Sequence, residues 1–278
     1  MLTTTFTILP LNKRKNYLMK NALGSIVTVS TLFIGSNVLA MDIGAMQLAG
    51  STFSAELIHE SYERDVKNTY TDPDEQYTGV QDEQRTFIRL RYSPQPKWGL
   101  TLDAGATDSD ESEGYAPLIG LGAHVNVYQH NGFYASLFAK ATYTFNIEYK
   151  WTSYYSGENW NATSTSTQTE DLLEYSGGIQ LGKEWIPCSG TRITGYTGVM
   201  ASFIESSEDV IRNYNYSDEK GMRSGTNREK DFFDIEEDQP IMFLAGVETT
   251  FTKYEIGIRA ETRFYGRPSF SVGLFKNF

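Results

Sequence analysis

The chain has 278 residues with 24 Lys plus Arg against 35 Asp plus Glu, a formal net charge of −11 and a mean hydropathy of −0.41. That acidity excludes a nucleic-acid binder, which needs a positive footprint, and the lone Cys188 in "IPCSG" excludes a disulfide framework and a CxxC redox or zinc site. With 18 Tyr, 16 Phe and 24 Gly against 8 Pro, the composition favours pleated strands and tight turns over helices.

The first element is a targeting segment. Residues 22–40, "ALGSIVTVSTLFIGSNVLA", follow Lys13, Arg14, Lys15 and Lys20 and end in Val38-Leu39-Ala40, small enough at the last and third-last positions for signal-peptidase cleavage. We expect 1–40 to be a signal peptide, with Met19 as an alternative start, and 41–278 to be a single domain. Its removal leaves 20 basic against 35 acidic residues, a net charge of about −15. Beyond it, no stretch reaches the roughly 20 apolar residues that a membrane helix needs. Moderate hydropathy still admits a membrane barrel, whose strands alternate lipid-facing and lumen-facing residues.

From about residue 51 the pattern alternates with period two. In 51–62, Phe53, Ala55 and Leu57 share a face. In "RTFIRLRY", Thr86, Ile88, Leu90 and Tyr92 oppose Arg85, Arg89 and Arg91. Next, Trp98, Leu100, Leu102, Ala104 and Ala106 oppose Thr101 and Asp103, and Ile119, Leu121, Ala123, Val125 and Val127 oppose glycines, His124, Asn126 and Tyr128. The longest run, Gly132 to Ile147, puts Phe133, Leu137, Tyr143, Phe145 and Ile147 on one face and Lys140 among polar residues on the other, with Phe138 the apolar exception there. Further strands are expected over about 171–185, 191–204, 240–251, 254–263 and 268–278, which makes ten.

The connectors sort by length. Short ones ("SPQPK", "QHN", "IPCSG" and the residues around Thr252) alternate with polar segments over about 63–83, 107–116, 148–170 and 205–238, and a shorter "YGRP" near 265. Turns at one end and loops at the other are the wiring of a membrane barrel. The fold class expected is therefore all-β, an antiparallel up-and-down transmembrane barrel of ten strands, with eight and twelve as the alternative counts. In lipid every backbone polar group needs a partner, so the last strand must pair with the first.

The chain's final strand fits that closure. Ser271, Gly273 and Phe278 match a pattern of polar residue, glycine and terminal aromatic, and Phe270, Val272 and Leu274 supply apolar alternation, while Lys276 departs from it. In these residues the chain resembles the outer-membrane β-barrel superfamily of Gram-negative bacteria. The resemblance implies a barrel in the bacterial outer membrane with periplasmic N- and C-termini, and Ser271, Gly273 and Phe278 as a signal to the barrel-assembly machinery. It implies outer-membrane lipid and lipopolysaccharide as surroundings and admits a surface ligand.

Candidate functional residues lie on the lumen face and in the loops. Arg85, Arg89, Arg91, Lys140, Arg192 and Arg259 would point inward, with Asp103, Glu248, Glu255 and Glu261 as opposite charges. In a narrow ten-stranded interior such charges form a paired filling in preference to a selective filter; a pore with a basic lining is the alternative. The loops are acidic, and "DSDESEG" echoes a calcium loop through Asp108, Asp110 and Ser112, but Gly114 falls one place late and no terminal Glu follows. Solvated charge is the expected role, and no metal or other cofactor is expected.

For an enzyme, the omptins use an Asp pair and an Asp–His pair at the barrel rim. None of His59, His124 and His130 lies two residues after an Asp, so that resemblance fails at its catalytic residues. A lipid A deacylase uses His-x-Ser with a Glu, a spacing that His59 and Ser61 share on one strand face. The leading expectation is a non-enzymatic surface or envelope-structural barrel, followed by a narrow pore and then an outer-membrane hydrolase.

Overall fold

The computed structural model describes residues 53–69, 76–109, 112–157, 160–218, 221–229, 234–237, 240–264 and 269–278. The expected signal peptide, the alternative start at Met19, Asp110 and the "YGRP" connector lie outside them. The strands are β1 (Phe53–Thr69), β2 (Gln76–Gln95), β3 (Trp98–Ser109), β4 (Ala116–His130), β5 (Phe133–Gly157), β6 (Trp160–Cys188), β7 (Thr191–Asp218), β8 (Gly221–Glu229), β9 (Asp234–Glu237), β10 (Ile241–Phe251), β11 (Ile256–Phe264) and β12 (Ser269–Asn277).

Ten of them close into an antiparallel barrel. β1 to β7 pair in sequence, β10 joins β7, and β11 and β12 lead back to β1. The two extra strands decorate the ring, β8 beside β7 and β9 beside β1. The seam runs from Ser54↔Asn277 to Tyr62↔Ser269, and Phe278 N donates to Phe53 O at 2.9 Å. No sheet edge is left in the wall, which is the condition for crossing lipid with strands. Residues 151–165 and 213–225 belong to a compact unit distinct from the barrel body.

The pleat separates two chemistries. Every barrel strand exposes a branched aliphatic side chain: Leu57, Ile88, Leu102, Leu121, Leu137, Leu181, Val199, Val247, Ile258 and Leu274. The inward face alternates with them and is buried. Apolar groups of that face cluster as Tyr134, Phe138, Tyr196, Met200 and Leu244, as Ile58, Phe87 and Leu118, and as Ala116, Ile147, Leu172 and Ile204. Where the wall is tight, an inward ring lies over a glycine of the next strand: Tyr134 over Gly182, Tyr196 over Gly246 and Phe275 over Gly257. A Cβ at any of the three would collide with the ring.

The short connectors are tight. Asn131 and Gly132 take φ of 49° and 78°, the two positive values that a type I′ hairpin turn requires. The polar segments differ from expectation, because most of 63–83, 148–170 and 205–238 is strand. β1 and β2 stay in register from Phe53↔Tyr92 to Thr69↔Gln76. Runs such as "STSTQT" and "NYNY" keep Thr and Tyr at alternate positions, and cross-strand pairs sustain the ladder beyond the apolar alternation.

One face assignment is corrected. Ile147 is buried, not on the outward face with Phe145. Asn146 between them takes φ of 52°, its N–H donates to Asp171 Oδ1 at 2.8 Å, and this irregularity shifts the alternation by one residue. Tyr143 OH fastens the same carboxylate, donating to Oδ2 at 3.0 Å.

Candidate functional site: the charged lumen

The inward face of β2 places Arg85, Phe87, Arg89 and Arg91 in a column, all buried. Each guanidinium meets acid from another strand. Arg89 grips Asp103 with two bonds, Nε to Oδ1 at 2.8 Å and Nη2 to Oδ2 at 2.7 Å, and Lys140 of β5 reaches the same carboxylate at 2.9 Å. Arg89 and Lys140 also lie over the Phe87 ring, at 5.5 and 5.2 Å from its centroid. Nearer the turn end, Glu56 lies 2.5 Å from Arg259 and 3.7 Å from Arg91. A Cβ at position 273 would meet that Glu56 carboxylate, so glycine there makes room for the pair.

Further along β2, Arg85 bridges two acids, Glu83 at 3.2 Å and Glu174 of β6 at 3.0 Å. Thr107 donates to Glu83 at 3.2 Å and Ser202 to Glu174 at 3.4 Å. Glu261 accepts from Tyr196 OH at 2.9 Å and lies 3.7 Å from Arg263. Glu60 has no exposed surface, and both of its oxygens lack a hydrogen bond among the described residues; Arg85, Lys140 and Arg263 supply the positive field around it. Burial without hydrogen bonds disfavours the charged form of a carboxyl group, and nearby positive charge reduces that cost.

Glu248 is buried in the field of Arg91 and Arg259. Arg192 is half-buried near the turn end, 3.5 Å from Glu184. Glu255 does not face the lumen: it is exposed in the 252–255 turn with φ of 56°, a conformation that takes it out of the strand alternation. Ser271 and Gly273 are buried on the inward face, whereas Phe278 is exposed outside, with its ring 6.0 Å from that of Phe53. His124 is buried and His130 exposed.

His59 and Ser61 share the outward face of β1, and His59 Nδ1 is hydrogen-bonded to Thr86 Oγ1 at 2.9 Å. Asp108 stands in β3, and Ser112 Oγ donates to backbone oxygens of Ser109 and Gly114, both at 3.0 Å, as turn chemistry does. Glu56, Glu60, Glu83, Glu170, Glu174 and Arg263 are lumen charges that sequence reasoning missed. For Glu56 and Glu60 the signal was present, since they alternate with Leu57 and His59.

No family model and no curated protein matches the chain. Among solved structures it is similar to the outer-membrane protease OmpT of Escherichia coli, at 9% identity and TM-score 0.41 over 84% of this chain and 100% of that one. It is also similar to the translocator domain of the autotransporter NalP of Neisseria meningitidis, at 10% identity and TM-score 0.37 over 94% and 95%. A third is an outer-membrane channel of Pseudomonas putida, at 12% identity and TM-score 0.34 over 85% and 98%. With scores this low the likenesses carry no argument of their own; the closed ladder, the aliphatic exterior and the charged interior do. The fold is an outer-membrane-type β-barrel.

Proposed function

We propose that this is a non-enzymatic outer-membrane protein whose barrel is sealed inside and whose long-connector end meets a surface ligand or the surrounding lipopolysaccharide. Both termini and the short turns face the periplasm, and the C-terminal strand is the segment handed to the barrel-assembly machinery. One observation supports this reading above the others: the 3.0 Å bond between Arg85 of β2 and Glu174 of β6. Those strands stand four places apart in a ring of ten, so the bond spans the lumen. The arginine column, the acids that meet it and the apolar clusters are buried on the inward face, which favours a filled lumen over an open one. An interior of paired charge contributes little net stability compared with apolar packing of the same volume.

The β1–β2 ribbon is the matching surface feature. It extends the hairpin to Thr69 and Gln76, pairs with β9, and carries most of the acidic 63–83 segment. Topology labelling tests the proposal. An epitope inserted between Thr69 and Gln76 is expected to bind antibody on intact cells. Cys188, exposed at the turn end and the only cysteine of the chain, is expected to take up a membrane-impermeant maleimide only after permeabilisation. Cys188 labelling in intact cells, with the epitope hidden, would reverse the orientation and remove the surface role.

A further inference from the structure

Lysines at the two ends of the barrel differ in how they are partnered. Among the described residues, Lys140 in the lumen and Lys150 toward the long-connector end have carboxylate partners. Lys140 is held by Asp103 at 2.9 Å, and Lys150 lies 2.8 Å from Glu113 and 2.6 Å from Glu148, whose hydrogen bonds hold it up at about 12. At the short-turn end, Lys97, Lys183, Lys253 and Lys276 pair with no carboxylate among the described residues. Three of them rest on aromatic rings instead. Lys183 Nζ stands 4.3 Å from the Phe133 centroid and 5.7 Å from that of Trp185; Lys253 is 5.4 Å from Tyr254, and Lys276 is 5.7 Å from Phe278.

The rings of Phe133, Trp185 and Phe278 are exposed on the outer wall, alongside Tyr92, Trp98 and Phe251, and that of Tyr254 is exposed in the adjoining turn. Trp185 lies across Gly195 of β7, where an added Cβ would come within 3.0 Å of its ring, so the indole is set close against the wall. Aromatic side chains on the outer wall of a membrane barrel, close to its turns, mark the headgroup level. A lysine stem along such a ring keeps the ammonium at that level, with donors free for a phosphate oxygen. Glu184, paired with Arg192, and Glu255 are carboxylates at this end of the barrel, and neither forms an ion pair with these lysines among the described residues.

We propose that this rim is a binding collar for anionic phospholipid, with Lys183 between Phe133 and Trp185 as its principal phosphate site. The lipid headgroup phosphate accepts hydrogen bonds from Nζ, and its acyl chains lie along Leu137, Leu181 and Val199. The inference rests on the orientation proposed above only for which leaflet supplies the lipid.

Native mass spectrometry of the refolded barrel in detergent tests it. The probes are phosphatidylglycerol and phosphatidylcholine with identical acyl chains, and inorganic phosphate serves as competitor. Phosphatidylglycerol adducts are expected to exceed phosphatidylcholine adducts, and Lys183→Gln is expected to cut the phosphatidylglycerol fraction about fivefold, the factor for one surface lysine. Lys150→Gln leaves it unchanged, as does free phosphate. Equal retention of the two lipids, or a phosphatidylglycerol preference that survives replacing all four lysines with Gln in a barrel that still shows heat-modifiable mobility, would overturn the collar. Neither result depends on orientation in the cell.

Discussion

Asp103 is the residue on which the lumen chemistry turns, because one carboxylate serves both Arg89 and Lys140. The two sides of the cluster are therefore unequal. Asp103→Leu takes the shared carboxylate from two buried cations at once, and removing one side of a buried pair costs about 3–5 kcal/mol. Arg89→Met removes a single guanidinium and leaves Asp103 held by Lys140, so its cost is smaller. Equilibrium unfolding in detergent, followed by tryptophan fluorescence, is expected to rank Asp103→Leu well below Arg89→Met. Equal losses would mean that volume and not charge pairing governs the site. Much of this was legible from residue parity, since Arg85, Arg89, Arg91 and Asp103 oppose aliphatic residues in their strands. The partners were less legible. Glu174 reaches Arg85 across the lumen from a distant strand, and nothing in local sequence encodes that meeting.

Individual strands follow their sequence period closely but run much longer than their hydrophobic alternation. Alternation ends where the lipid-facing demand ends, whereas hydrogen-bond pairing continues as long as two β-forming segments stay in register. For this reason β1 and β2 reach Thr69 and Gln76, although apolar patterning stops near residues 62 and 85. The bulge at Asn146 was illegible for a related reason: a single left-handed residue inverts the faces beyond it, and its stabiliser, Asp171, sits on the next strand. The ribbon also yields a prediction. Deleting residues 66–79 removes the partners of β9, Val66↔Glu237 to Thr69↔Asp234, without touching the lumen pairs. The unfolding midpoint is expected to correspond to a change within about 0.5 kcal/mol, as for other surface changes. Hydrogen exchange at Ile235 and Glu236 should accelerate. A large loss of barrel stability would show instead that the ribbon supports the wall.

For the whole molecule, the ring of ten strands, the aliphatic exterior and the charged interior agree on one design: a wall compatible with lipid around a buried, largely ion-paired inward face. The collar of lysines and aromatics at one rim, and the acidic ribbon of the hairpin that opens at the other, give the barrel a polarity along its axis. The central claim is that the lumen is closed by paired charge. Its most direct test is single-channel recording of the refolded barrel in a planar bilayer, on samples first shown to be folded by heat-modifiable mobility. No discrete conductance steps are expected for the native chain, and steps are expected to appear with Glu174→Ala as the pair across the lumen comes apart. Steady openings in the native protein, with an ion preference that changes on neutralising Arg89, would contradict the claim and make the barrel a pore.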